Sequence, residues 1–126
     1  MSLFKNISVV SLHVKDWEGA KKFYRELLGW PILYSNDEMG WEEYGEGTSG
    51  HVAISRWDDP ATMPKPSKST VLVLTVEDVF KTTDELRARG VKCEDAKVIP
   101  GVVAYGTFYD PEGNCIQFAA ETPPPA

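Results

Sequence analysis

The pattern of apolar and polar positions predicts two rounds of the same secondary structure. Ile7, Val9, Val10, Leu12 and Val14 alternate around Ser11 and His13, the two-residue period of a half-buried strand rich in β-branched side chains. Asp16 then stands where a helix cap would. Ala20, Phe23, Tyr24, Leu27 and Leu28 step by three and one, which predicts a helix with one apolar stripe running to about Leu28. Gly29 suits the helix exit, and Pro31 prevents its continuation. Short strands are predicted over Ile32–Ser35, Trp41–Tyr44 and His51–Trp57, with Gly40, Gly45, Gly47 and Gly50 as turns.

After a proline-containing polar stretch, Asp58 to Ser69, the pattern restarts. Val71, Val73, Leu74 and Val76 predict a strand, and Asp78 a cap. Val79, Phe80, Thr83 and Leu86 predict a helix stripe that Gly90 closes. Strands follow at Val91–Cys93, Val102–Tyr109 and Cys115–Ala119, ahead of a proline-rich tail expected to fray. The capping aspartates, Asp16 and Asp78, lie 62 residues apart in a chain of 126, close to half its length. The expected fold class is α+β, with two tandem βαβββ modules forming curled mixed sheets around a cup. Module one covers about 5–57, the linker 58–69, module two about 70–121, and the tail 122–126. One such module leaves a sheet face uncovered, so two are needed to enclose anything.

Composition narrows the partners. Nineteen acidic against thirteen basic residues leave a net charge of −6, which disfavours nucleic acid and anionic membrane, since both need a positive field. No apolar run approaches the ~20 residues that span a bilayer. The N-terminal stretch lacks the charged start and apolar core of a secretory signal, so a cytoplasmic location is expected. Cys93 and Cys115 are too few and too far apart for a disulfide framework or a zinc knuckle, and are expected to be free thiols.

Three local pieces, in this order and spacing, carry a resemblance. Val14-Lys15-Asp16 leads to Phe23-Tyr24 and Leu27-Leu28-Gly29-Trp30, and later come Asp78-Val79, Leu86 and Gly90-Val91. The third is the turn Phe108-Tyr109-Asp110-Pro111-Glu112-Gly113-Asn114. From about Ile7 to Glu121 the chain resembles the glyoxalase/bleomycin-resistance (vicinal oxygen chelate) superfamily. The resemblance implies a cup in each half that holds a small molecule and, in most enzymes of the group, a divalent metal. It also implies frequent dimerisation.

In metal-dependent members of the group, ligands stand on the first and last strands of each module. The first-strand positions fall here at Val9 and Val71, and the last-strand positions near Ala53 and at Gln117. Aliphatic side chains offer no lone pair, and a neutral amide is a weak ligand beside carboxylate or imidazole. No metal and no cofactor are therefore expected, unless an atypical site forms from His13, His51, Glu43 and Gln117. Strand parity assigns Val10, Leu12 and Val14 to the helix-packed core and turns Ser11 and His13 into the cup. His51, Ala53 and Ser55 share one face, as do Cys115, Gln117 and Ala119, and Val71, Val73 and Thr75. Trp41, Glu43, Tyr105 and Tyr109 lie on middle strands, where a bulge would reverse the facing.

The candidate ligand-binding residues are thus Ser11, His13, Trp41, Glu43, His51, Ser55, Tyr105 and Gln117, with His13 the candidate for proton transfer. Trp17 and Trp30 are expected to serve packing or dimer contacts. No phosphate loop or nucleophile elbow is visible. The first functional expectation is metal-independent binding or sequestration of a small, largely apolar or aromatic molecule by a homodimer, as in the drug-sequestering members the sequence resembles. The alternative is a lyase, isomerase or dioxygenase that uses a displaced metal or His13 as acid/base. A third is a domain kept for protein association alone.

Overall fold

The computed structural model describes residues 3, 5–47, 50–66 and 70–120. The chain divides into two compact units, Met1–Lys65 and Pro66–Ala126, with the division inside the expected linker. The end of that linker, 67–69, and the expected frayed tail, 122–126, lie outside the described residues. Among the described residues no helix is long and apolar enough to cross a membrane.

The first unit runs β1 (Val9–Val14), α1 (Trp17–Lys22), a π-helical turn (Phe23–Leu27), β2 (Ile32–Asn36), β3 (Trp41–Tyr44) and β4 (His51–Arg56). Its open sheet has the order β1-β4-β3-β2, with β1 parallel to β4 and the other pairs antiparallel. Asp16 caps α1 by accepting from the Gly19 N–H at 3.1 Å. The helix expected to run unbroken to Leu28 instead widens after Lys22, where the Leu28 N–H donates five residues back to the Phe23 carbonyl at 3.0 Å. Such a turn admits one extra residue. The residues it carries are the buried Phe23 and Tyr24 and the arginine that reaches β3. Tyr24 stacks on Tyr44 at 5.5 Å, and Trp30 stacks on the same ring at 5.9 Å. Trp30 is therefore a packing residue, as is the buried Trp17.

Beneath this stack lies a fully buried carboxylate, Glu42, with 0% exposure. Arg25 grips it through two nitrogens, Nε at 2.9 Å and Nη2. The Ser35 hydroxyl donates to it at 2.7 Å, and the Tyr44 hydroxyl donates as well. Burial alone would push the Glu42 carboxyl up, but its bonds to Arg25, Tyr44 and Ser35 outweigh that and hold it below the usual carboxylate range. Burial, with the Glu42 carboxylate beside it, pushes the Tyr44 phenol well above its ordinary value.

A second cluster fixes the β2–β3 turn. Asp37 accepts from the Trp17 indole at 3.0 Å and from the buried Lys21 ammonium at 2.8 Å. Arg56 donates to the backbone carbonyls of Asp37 and Glu38 at 2.8 and 3.1 Å. Gly40 closes the turn at φ +73°, with Arg56 so near that an added Cβ would meet the arginine's own Cβ at 2.6 Å. The next residue is Trp41, so this turn sets where β3 begins.

The second unit repeats the plan: β5 (Leu72–Thr75), α2 (Val79–Ala88), β6 (Lys92–Cys93), β7 (Lys97–Ile99), β8 (Val103–Tyr109) and β9 (Cys115–Ala120). β5 runs parallel to β9 in the order β5-β9-β8-β6. Asp78 caps α2 through the Phe80 and Lys81 N–H groups at 2.9 and 3.1 Å. β7 is an element the sequence pattern did not predict, and with β6 it lies along β8. Together they stand where β2 stands in the first unit. The Glu94 N–H, donating to the Thr107 carbonyl at 2.9 Å, bridges the gap between them. The helix-side face carries Ile116, Phe118 and Phe108, all buried. Phe118 lies over its cross-strand partner Gly106, where an added Cβ would come within 2.4 Å of the ring.

Two outcomes follow from this packing. Gly106→Ala should destabilise the fold by about 1–3 kcal/mol through overpacking against Phe118, read as a lower urea midpoint with unchanged slope. Because the folded-state pKa of Glu42 is depressed, its contribution is present above the unfolded carboxylate value and fades as pH falls through the folded one. Arg25→Met strands the buried carboxylate and should cost roughly 3 kcal/mol at pH 7. Urea titrations across pH should show that deficit narrowing toward acid, and a deficit independent of pH would contradict the assignment.

Candidate functional site

In each unit the helix covers one sheet face, and pairing register decides what stands on the other. β1 and β4 align Val9 with His51, Ser11 with Ala53 and His13 with Ser55. β3 and β4 align Glu43 with Ala53 and Trp41 with Ser55. Directly paired residues share a face. Tyr44 and Glu42 point to the helix, so Val9, Ser11, His13, Trp41, Glu43, His51 and Ser55 stand together on the opposite face. The expectation that Val10, Leu12 and Val14 face the helix agrees with this register, with Val14 fully buried.

The facing of Trp41 and Glu43, open from sequence, is set by β3. The Trp41 indole N–H donates to Glu43 Oε1 at 2.9 Å, and Glu43 Oε2 lies 3.4 Å from His51 Nδ1. His51 Nε2 lies 3.0 Å from the Gly47 carbonyl. That carbonyl can only accept, so Nε2 carries a proton. His51 is 8% exposed, at the start of β4, which lies between β1 and β3. Gly45, at φ +132°, gives its ring room, since an added Cβ would meet Cδ2 at 3.3 Å. At the far end of the face the His13 ring meets Trp57 edge-on, with centroids 4.9 Å apart. Two residues the sequence reading missed, Tyr34 and Asn36, pair with Glu43 and Trp41 and so join the same face. The bulge between Ile32 and Tyr34 hid the parity of β2.

In the second unit Val73 pairs with Gln117, Thr107 with Gln117, and Tyr105 with Ala119. Tyr105, Thr107, Tyr109 and Gln117 therefore share the helix-free face. Gln117 Nε2 donates to the Thr107 hydroxyl at a long 3.4 Å. The Tyr109 hydroxyl donates to Glu94, while the Lys92 ammonium sits 5.7 Å from the Tyr109 ring centre. Cys93 and Cys115 are both free thiols, and burial pushes the Cys93 thiol up.

Residues 6–118 match the family model of the Glyoxalase/Bleomycin resistance protein/Dioxygenase superfamily. The chain belongs to this superfamily. It is 32% identical over 120 residues to the uncharacterized protein YraH of Bacillus subtilis (strain 168), covering 86% of this chain and 92% of that one. Among solved structures it is similar to TnmS3, an antibiotic binding protein from Streptomyces sp. CB03234. That match has a TM-score of 0.78 and 26% identity, covering 97% of this chain and 100% of the other. A glyoxalase/bleomycin resistance protein from the same organism matches with a TM-score of 0.71 and 28% identity, covering 92% and 100%.

A superfamily metal does not fit the side chains at the expected positions. Val9 and Ala53 do stand on the helix-free face of the first sheet, as does Gln117 on that of the second, yet two of these three offer only hydrocarbon. Among the described residues no three His, Cys, Asp or Glu side chains gather as a metal would require. Of the residues named for an atypical site, Glu43 and His51 stand side by side in the first unit, and their polar atoms already engage Trp41 and Gly47. Gln117, by contrast, keeps hydrogen-bonding capacity to spare. Gln117→Leu should change stability by less than about 1 kcal/mol, since so long a bond contributes little. A urea midpoint shift well beyond that would place Gln117 in the structural framework.

Proposed function

We propose that this chain binds and sequesters a small, largely apolar or aromatic molecule without a metal. The carrying observation is the chemistry of the helix-free face in the first unit. Trp41, His13 and the small residues Ser11 and Ser55 occupy it, and hydrocarbon stands at Val9 and Ala53 where metal ligands would be. Flat organic ligands use aromatic walls with a few fixed polar groups. The description of TnmS3 as an antibiotic binding protein supports the same reading. The protein is proposed to work as a cytoplasmic homodimer, with its net charge of −6 weighing against nucleic acid and membrane partners.

The alternative, a lyase, isomerase or dioxygenase, draws on His13 sharing a face with the Glu43–His51 pair. Metal analysis together with a thermal-shift screen of small organics separates the two. The binding reading expects far less than one equivalent of metal. It also expects a ligand at 100 times its Kd to stabilise the protein by about 2.7 kcal/mol, a rise on the order of 10 °C. Stoichiometric nickel, zinc, manganese or iron(II), or stabilisation by these ions alone, would contradict it in favour of the enzyme.

A further inference from the structure

A line of polar contacts crosses the helix-free face of the first unit. The Trp41 indole N–H donates to Glu43 Oε1 at 2.9 Å, Glu43 Oε2 lies 3.4 Å from His51 Nδ1, and His51 Nε2 lies 3.0 Å from the Gly47 carbonyl. The outer contacts fix their own protons, because an indole nitrogen only donates and a carbonyl only accepts. The middle contact is then short of one. With a single proton, on Nε2, the imidazole leaves a bare Nδ1 beside a carboxylate oxygen, and two lone pairs meet across 3.4 Å.

Burial makes that meeting costly. The His51 and Glu43 side chains are 9% and 22% exposed, so solvent screens them weakly. Among the described residues, register puts no lysine or arginine on this face to supply the missing positive charge. β2 contributes Tyr34 opposite Glu43, β1 contributes Val9 opposite His51 and His13 farther along, and Glu46 precedes Gly47 in the connection. Arg25 reaches β3 from the helix side and is taken up by Glu42. An added proton on Nδ1 removes the conflict. The imidazolium then donates from both ring nitrogens, to Glu43 and to Gly47, and the carboxylate accepts on both oxygens. Imidazole is the stronger base of the two group types and so the natural holder.

We propose that His51 is an imidazolium paired with Glu43 at neutral pH, and that its Nδ1 proton is a switch on the position of Trp41. While the proton is held, the pair adds no net charge to the face, and β3, the β3–β4 connection and the Trp41 indole are tied in one chain. When the proton passes to solvent, the pair carries one negative charge, Glu43 Oε2 parts from the bare Nδ1, and the indole shifts with it. The inference goes beyond small-molecule binding and stands whether or not the face takes a ligand.

The test reads the ring nitrogens of the chain's two histidines, His13 and His51, in a long-range nitrogen-15 correlation spectrum of the full chain. Loss of signals in His51→Gln identifies those of His51. In wild type at pH 7 both His51 nitrogens should show the shift of a protonated nitrogen. Glu43→Gln keeps an oxygen for the indole and turns an amide N–H toward His51. In that variant Nδ1 should be bare at pH 7 with Nε2 still protonated, and His51 should lose its second proton about one pH unit or more lower. As the pH of wild type is raised, the Trp41 indole signal should move with the same midpoint as the His51 nitrogens, and Glu43→Gln should lose that shared step. Circular dichroism confirms the fold of each variant. A bare Nδ1 in wild type at pH 7 overturns the proposal, and that measurement needs no variant beyond the assignment. The proposal also fails if His51 titrates alike in wild type and Glu43→Gln, or if the Trp41 signal ignores the His51 step.

Discussion

Side chains alternate along a strand, and in each half of this chain a helix occupies one of the two faces the alternation creates. Everything chemical depends on that division. In the first unit the helix face is held by an ionic and aromatic cluster: Arg25 and Ser35 bind the buried Glu42, Tyr44 binds it from the next turn of the pleat, and Tyr24 and Trp30 stack on Tyr44. A one-residue slip of β3 would turn Glu42 away from Arg25 and carry Trp41 and Glu43 to the wrong side. The energetic penalty for such a slip is the desolvated carboxylate, so the buried pair acts to specify register. The turn cluster around Asp37, Lys21, Trp17 and Arg56 reinforces it by fixing where β3 starts.

The second unit reaches the same division with different chemistry. Its helix face is hydrocarbon and aromatic, with Phe118 closing over Gly106, and its buried carboxylate, Asp110, serves the turn before β9 instead, accepting from the Glu112 and Asn114 N–H groups. Its open face holds Gln117, Thr107 and Tyr105, which donate and accept hydrogen bonds, while the open face of the first unit offers rings and a carboxylate, Glu43, that accepts from Trp41. The two halves have kept one plan and diverged in what they present, as a duplicated scaffold can when sites are grafted onto a shared fold.

Much of this was legible in the sequence, for physical reasons that differ by element. Asp16 and Asp78 announce helix starts because a cap needs a short acceptor at a fixed offset, and both serve as caps. The parity of β1 was readable from Val10, Leu12 and Val14 against Ser11 and His13. β3 was not, because Trp-Glu-Glu-Tyr is equally amphipathic in either phase, and burying Glu42 makes sense only once Arg25, 17 residues earlier, is seen to reach it. The π-helical turn and the division of one strand into β6 and β7 likewise arise from tertiary contacts that leave no periodic trace. The neighbourhood of Glu43 was invisible for the same reason, since His51 and Gly47 come together through the β3–β4 connection.

The central claim is that ligand chemistry belongs to the face turned away from the helix. The chain has four tryptophans, Trp17, Trp30, Trp41 and Trp57, and each gives one indole N–H signal in a nitrogen-15 correlation spectrum. On titration with a small organic that stabilises the protein in the thermal-shift screen, the Trp41 signal should move while those of Trp17 and Trp30, on the helix side, stay in place. Movement of Trp17 or Trp30 with Trp41 unchanged would contradict the account.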